Sequence, residues 1–184
     1  MVINNNKHIG RPRKYNEYKI IGEYAYVTLE NTKKIMICDA DDWMNWCQYC
    51  WNEQKDRGYV KAKVNGKQVS YHSHVLKEKD GYVRDHINRN KLDNRRENLR
   101  YATVQVNGIN TKLSKANKSG FRGVSFDKTT NKWLTEITLN RKKIHLGRYR
   151  NLEDAIKARK QAEEKYYKPL IEKETLQSGC FFNK

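Results

Sequence analysis

Two polar stretches without apolar periodicity cut this chain: residues 1–16 and Leu113-Ser114-Lys115-Ala116-Asn117-Lys118-Ser119-Gly120. Neither offers an apolar face to bury, so the first reads as a basic arm and the second, at 113–118, as a linker. Whatever folds must do so in the pieces between and beyond them. Those pieces have little to bury. Of 184 residues, 37% are hydrophobic and 32% charged, which points to thin cores and two or three small modules.

The charge indicates a partner. Lys and Arg number 38 against 21 Asp and Glu, a net +17, and such an imbalance repels itself unless a polyanion neutralises it. Nucleic acid is the expected partner. No apolar run approaches the roughly 18 residues that span a bilayer, and the leading MVINNNKHIGRPRK has no apolar signal core. The expectation is a soluble cytoplasmic protein with no membrane partner. Within the arm, Gly10-Arg11-Pro12-Arg13-Lys14 resembles an AT-hook core. Proline keeps its predecessor extended, so Arg11 and Arg13 can follow a narrow, electronegative minor groove. A solvated basic tail is the alternative.

From Tyr18 to Leu76 the pattern is β-rich, with strands expected at Tyr18–Ile21, Tyr24–Leu29, Lys34–Cys38, Gly58–Val64 and Lys67–Ser73. Asn65-Gly66 tolerates the positive φ angles of a two-residue turn and makes the last two a hairpin. Asp39 is placed to cap a short helix whose Trp43, Trp46, Cys47, Cys50 and Trp51 fall near one face, a stripe that reads as core. Of the four cysteines, Cys47 and Cys50 have zinc-knuckle spacing, but no second pair follows at a useful distance. Buried reduced thiols are therefore expected. His72 and His74 alternate on the predicted strand, where a structural role outweighs a catalytic one.

The most informative stretch runs Asp85-His86-Ile87-Asn88-Arg89-Asn90-Lys91-Leu92-Asp93-Asn94-Arg95-Arg96-Glu97-Asn98-Leu99-Arg100-Tyr101-Ala102-Thr103, then Gln105-Val106-Asn107. An Asn stands 12 residues after the His and another 9 beyond it. Asp85 and His86 would end one strand, the Asp93-Asn94 region would form a loop, and Leu99–Ala102 would return. Thr103 could then cap a helix carrying Asn107. This pattern resembles the HNH family, whose members cut DNA with a β-β-α-metal motif.

The resemblance implies Asp85 and Asn107 as metal ligands and His86 as general base. It implies that Asn98 bridges the loop and holds His86 in place. A carboxylate and an amide oxygen are hard donors that suit one Mg²⁺ or Mn²⁺ keeping several waters. An imidazole titrates near ~6.5, so it can take a proton from water at neutral pH. Arg96 or Arg100 is placed to clamp the phosphate. Many relatives carry His as the last ligand, and Asn107 matches the phage homing branch instead.

Beyond the linker, Phe121–Phe126, Lys132–Leu139 and Lys143–Tyr149 read as three strands, followed by a helix from Leu152 to Tyr167 with Asn151 and Asp154 as capping pair and Pro169 after its end. Ser119-Gly120-Phe121-Arg122-Gly123-Val124-Ser125-Phe126, Asn131-Lys132-Trp133 and Ile144-His145-Leu146-Gly147-Arg148-Tyr149 resemble the apetala/ethylene-response-factor DNA-binding domain, which lays its sheet in the major groove. The resemblance covers Ser119 to Tyr167 and implies Arg122, Ser125, Thr138, His145 and Arg148 as DNA contacts. One difficulty is that Arg122 alternates onto the face of Val124 and Phe126, which requires a bulge or twist.

The expected fold is α+β: a β-rich N-terminal part merging into the nuclease motif (17–112), then a three-stranded antiparallel sheet packed on one helix (119–168) and a tail (169–184). The expected function is site-specific cleavage of double-stranded DNA by a monomer that nicks one strand. A non-catalytic DNA-binding regulator is the rival from another class, and an RNA-binding protein fits the charge but not the motif spacing.

Overall fold

The computed structural model describes residues 15–178, so Arg11, Arg13 and the AT-hook-like segment lie outside the described residues. Two compact units divide the chain, one taking residues up to Lys77 together with Asn90–Leu99, the other Glu78–Arg89 together with residues from Arg100 onward. Among the described residues no helix is long and apolar enough to cross a membrane. The architecture is mixed α/β, with small antiparallel sheets and few helices.

In the first unit, β1 (Tyr18–Ile21), β2 (Tyr24–Thr28) and β3 (Ile35–Asp39) form one antiparallel sheet. Period-two alternation turns Ala25, Val27, Met36 and Cys38 into the core. α1 (Ala40–Trp46) follows at once, and β4 (Asn52–Glu53), β5 (Val60–Val64) and β6 (Lys67–Ser70) make a second sheet. Trp43, Trp51 and Tyr71 are fully buried between these elements, with the Trp51 and Tyr71 rings edge to face at 4.8 Å. Aromatic rings of this size supply much of the apolar burial a thin core can muster. Asn65 and Gly66 turn the β5–β6 hairpin with φ of 49° and 81°, as the dipeptide requires. Burial pushes the Cys38 thiol up to about 12, so it stays a protonated core residue, while Cys47 and Cys50 are half-buried.

Three expectations in this unit need correction. Asp39 precedes α1 without capping it; its carboxylate accepts from the Arg96 backbone N–H at 2.7 Å instead. His72 and His74 are not on a strand, because β6 stops at Ser70 and His72–Val75 form a single helical turn, α2. His74 stacks on Trp46 at 3.6 Å, and burial with nearby Lys77 holds its pKa below the usual imidazole value. Asn16 is no part of a loose arm. It is buried, donates to the carbonyls of Thr28 and Trp51 at 2.9 Å each, and accepts from Trp51 N–H at 2.6 Å.

In the second unit, β7 (Val83–His86) pairs with β8 (Leu99–Ala102), and α3 (Val104–Ile109) packs against β7. β9 (Val124–Asp127), β10 (Lys132–Leu139) and β11 (Lys142–Tyr149) form an antiparallel sheet in the order β11-β10-β9, covered by α4 (Leu152–Ser178). Ile137, Ala162 and Tyr167 centre its core. The first of these strands starts later than expected, since Gly123 sits at φ 71° just ahead of it. Arg122 therefore precedes the strand, and no bulge is needed to explain its direction. The bulge falls instead on β11, where Thr135 pairs with Gly147 and Glu136 with His145. The helix also continues past Tyr167 with Pro169 inside it. A proline inside a helix costs about 3 kcal/mol; here Ile171 packs on the core and Glu174 is buried beyond it, contacts that no local signal encodes.

Candidate active site

Asp85 and His86 end β7, and both are buried, at 7% and 4% exposure. The chain turns sharply after them, with Arg89 N–H donating to the His86 carbonyl at 2.9 Å and Arg89 itself at φ 62°. β8 returns beside β7, and Thr103 then caps α3: its Oγ1 accepts from Val106 N–H at 3.3 Å. That cap starts the short helix at the residue the sequence marked, and the helix carries Asn107.

The Asp85 carboxylate is held from two sides. Arg100 donates to Oδ2 through Nε at 3.1 Å and Nη2 at 2.9 Å. Asn110, the residue closing α3, brings Nδ2 to Oδ1 at 3.2 Å, to Oδ2 at 3.0 Å and to the His86 carbonyl at 2.9 Å. Sequence reasoning missed Asn110. The available signal was its spacing, one helical turn beyond Asn107, which returns an amide to the same strand end. Asn107 is half-buried, and its side chain makes no hydrogen bond among the described residues. Asn98, in the first unit, is buried and donates to the Asp93 carbonyl at 2.7 Å, bracing the Asp93–Asn98 loop.

Among the described residues no cluster of three or more His, Cys, Asp or Glu could hold a metal. Of the two expected ligands, the Asp85 carboxylate already accepts from Arg100 and Asn110, and the Asn107 amide has no protein partner among the described residues. A carboxylate and an amide oxygen are hard donors of the kind a divalent cation that keeps most of its waters would take.

The predicted DNA contacts divide by their partners. Arg96 is engaged within the first unit, its guanidinium forming a two-pronged pair with Asp42 at 2.9 and 2.6 Å. Arg100 is spent on Asp85. Arg122 donates to the carbonyls of Gly108 and Thr111, satisfying the open C-terminal end of α3. All three are engaged by protein acceptors, Arg96 while still exposed. Ser125, Thr138, His145 and Arg148 are all exposed and share the sheet face of Leu134 and Glu136, away from α4. Arg148 reaches Asp127 at 3.5 Å. The hydroxyl of Thr130, the backbone N–H groups of Thr129 and Thr130, and that guanidinium hold the Asp127 carboxyl below its ordinary value.

Asp85 and His86 end one strand, β8 returns beside it, and α3 carries Asn107. Residues 69–109 match the model of the family described as HNH endonuclease. Protein 3.8 of Escherichia phage T7 is 37% identical over 76 residues, covering 41% of this chain and 62% of that protein. An uncharacterized HNH endonuclease of Acanthamoeba polyphaga mimivirus is 34% identical over 118 residues, covering 60% of this chain and 62% of its own. The chain thus spans 62% of the length of each of these relatives. No solved structure matches it.

Proposed function

We propose that this protein is a metal-dependent, site-specific DNA endonuclease of the HNH homing type that acts as a monomer and nicks one strand. The observation that carries the reading is the pair Asp85-His86, buried side by side at the end of β7 within the segment that matches the HNH family. Asp85 and Asn107 would hold one Mg²⁺ or Mn²⁺, which when bound stabilises negative charge on the scissile phosphate. His86 takes a proton from the attacking water as the new P–O bond forms, and the bond to the 3′ oxygen breaks, the departing oxygen taking a proton from solvent water. Asn98 stiffens the loop. Arg100 orients the Asp85 carboxylate through its paired guanidinium.

The exposed face of the C-terminal sheet is the DNA-reading surface in this proposal, through Ser125, Thr138, His145 and Arg148. The basic arm, with Arg11 and Arg13, adds a second contact. Separate modules on adjacent segments raise specificity through effective concentration. One observation favours the rival, a non-catalytic DNA-binding regulator: the Arg100 pair neutralises the carboxylate on which metal binding depends. Incubating purified protein with supercoiled plasmid and Mg²⁺, and mapping breaks on each strand, separates the two. Nicks at a defined position support the nuclease, and intact plasmid under saturating binding supports the regulator.

The metal assignment has its own test. Asn107→Ala removes one of two protein donors, so the Mg²⁺ concentration giving half-maximal cleavage should rise by about 10-fold or more, with the rate at saturating metal less affected. An unchanged metal titration would remove Asn107 from the ligand set.

A further inference from the structure

Glu174 lies near the end of α4, 71 residues from Thr103 in sequence, and is 7% exposed. Its Oε2 accepts from the Thr103 backbone N–H at 3.0 Å, and its Oε1 accepts from Thr103 Oγ1. Thr103 is the residue that caps α3. Its hydroxyl oxygen accepts from Val106 N–H at 3.3 Å and its carbonyl from Asn107 N–H at 2.9 Å. A threonine hydroxyl has a single proton. Committing it to Glu174 leaves the oxygen's lone pairs for the first turn of α3. The carboxylate therefore stands one residue away from the backbone of Asn107, on the helix whose other end brings Asn110 to Asp85.

α4 has to run through Pro169 to deliver this group. A helix that ended at Tyr167, as local propensity dictates, would leave Thr103 N–H without its acceptor. We infer that Glu174 is a positioning residue of the cleavage site: by gripping both donors of Thr103, the end of the C-terminal helix sets the orientation of α3 and hence of Asn107 and Asn110 toward Asp85. The inference rests on the nuclease reading for its consequence, and makes cleavage depend on the C-terminal module beyond whatever DNA contacts that module supplies. A carboxylate suits the role because it presents two acceptor oxygens to two donors of one residue, and ionised acceptors form hydrogen bonds about twice as strong as neutral ones.

The test uses the full chain and two variants. In Glu174→Ala, hydrogen exchange of the amides from Val106 to Asn110 should speed up by about 10-fold, kcat should fall by about 10- to 100-fold, and KM for duplex should stay within about 2-fold. Glu174→Gln keeps an oxygen for Thr103 N–H and offers an amide to its hydroxyl, so it should recover exchange protection and most of kcat. Unchanged exchange in α3 of Glu174→Ala would overturn the inference. So would a loss in which melting temperature and DNA affinity fall together in both variants, since that would mark a fold-stabilising contact only. If wild-type protein cuts no DNA, the nuclease reading fails by itself, and the exchange measurement still decides whether Glu174 holds α3.

Discussion

Replacing His86 with alanine should lower cleavage of duplex DNA by about 1,000-fold, within the 10²–10⁴ that a positioned general base supplies, while the dissociation constant for the same duplex stays within about 2-fold. The asymmetry follows from where the side chain sits. At 4% exposure His86 offers almost no surface to DNA, whereas in the proposed function affinity would come from phosphate contacts to a chain of net charge +17. The loss should therefore appear in kcat and leave KM nearly unchanged, as expected for an interaction used only in the transition state. Alanine also leaves a cavity the size of an imidazole at the end of β7, so adding imidazole to the variant should restore part of the rate. Cleavage by His86→Ala within about 10-fold of wild type would remove the histidine from the base role, whatever the status of the metal ligands.

Much of this site was legible because its geometry is local. Asp85 and His86 close a strand, Thr103 caps the next helix through Val106, and Asn65-Gly66 turns a hairpin, each determined by residues within a few positions. Chemistry set by distant partners was not legible. Arg96, Arg100 and Arg122 are all surface-type residues in a basic sequence, and nothing in their neighbourhoods indicates that Asp42, Asp85 and the end of α3 engage them. Each forms its pair across more than ten residues of chain, so the charge pattern overstated how much of the cation supply is free for DNA. The same applies to α4. Pro169 is a sound local stop signal, and only the packing of Ile171 and the Thr103–Glu174 contact, invisible in a sequence window, explain why the helix continues. The exposed sheet face was read well because period-two alternation needs only the strand boundaries, and the late start of β9 at Val124 resolved the one position where alternation failed.

The largest stability effect should come from Gly123→Ala, and Gly120→Ala is its internal control. Both glycines have a left-handed backbone, at φ 71° and 75°, so both substitutions carry the about 1–2 kcal/mol that a Cβ costs there. Their surroundings differ. A Cβ at Gly120 meets nothing within 4 Å, whereas one at Gly123 would overlap the Glu136 carbonyl oxygen and come within 2.9 Å of Arg159 Nη1. Neither neighbour can give way cheaply. Gly123 O already accepts from Glu136 N–H at 2.8 Å, extending the β9–β10 ladder. Arg159, at 2% exposure, donates to that same Glu136 carbonyl at 2.6 Å and to Glu163 at 3.0 Å, under the Tyr167 ring. Displacing it would leave a buried guanidinium short of partners. Gly123→Ala should thus cost about 3 kcal/mol or more beyond the control, a drop of about 12 °C or more in Tm for a unit of this size. Arg122, the next residue back, donates to the end of α3, so the strain should also reach the site helix and lower cleavage more than the unfolded fraction alone would. Urea unfolding of the two variants and wild type decides the matter: if Gly123→Ala and Gly120→Ala lie within about 1 kcal/mol of each other, the close approach of strand, glycine and arginine is not what holds this module together.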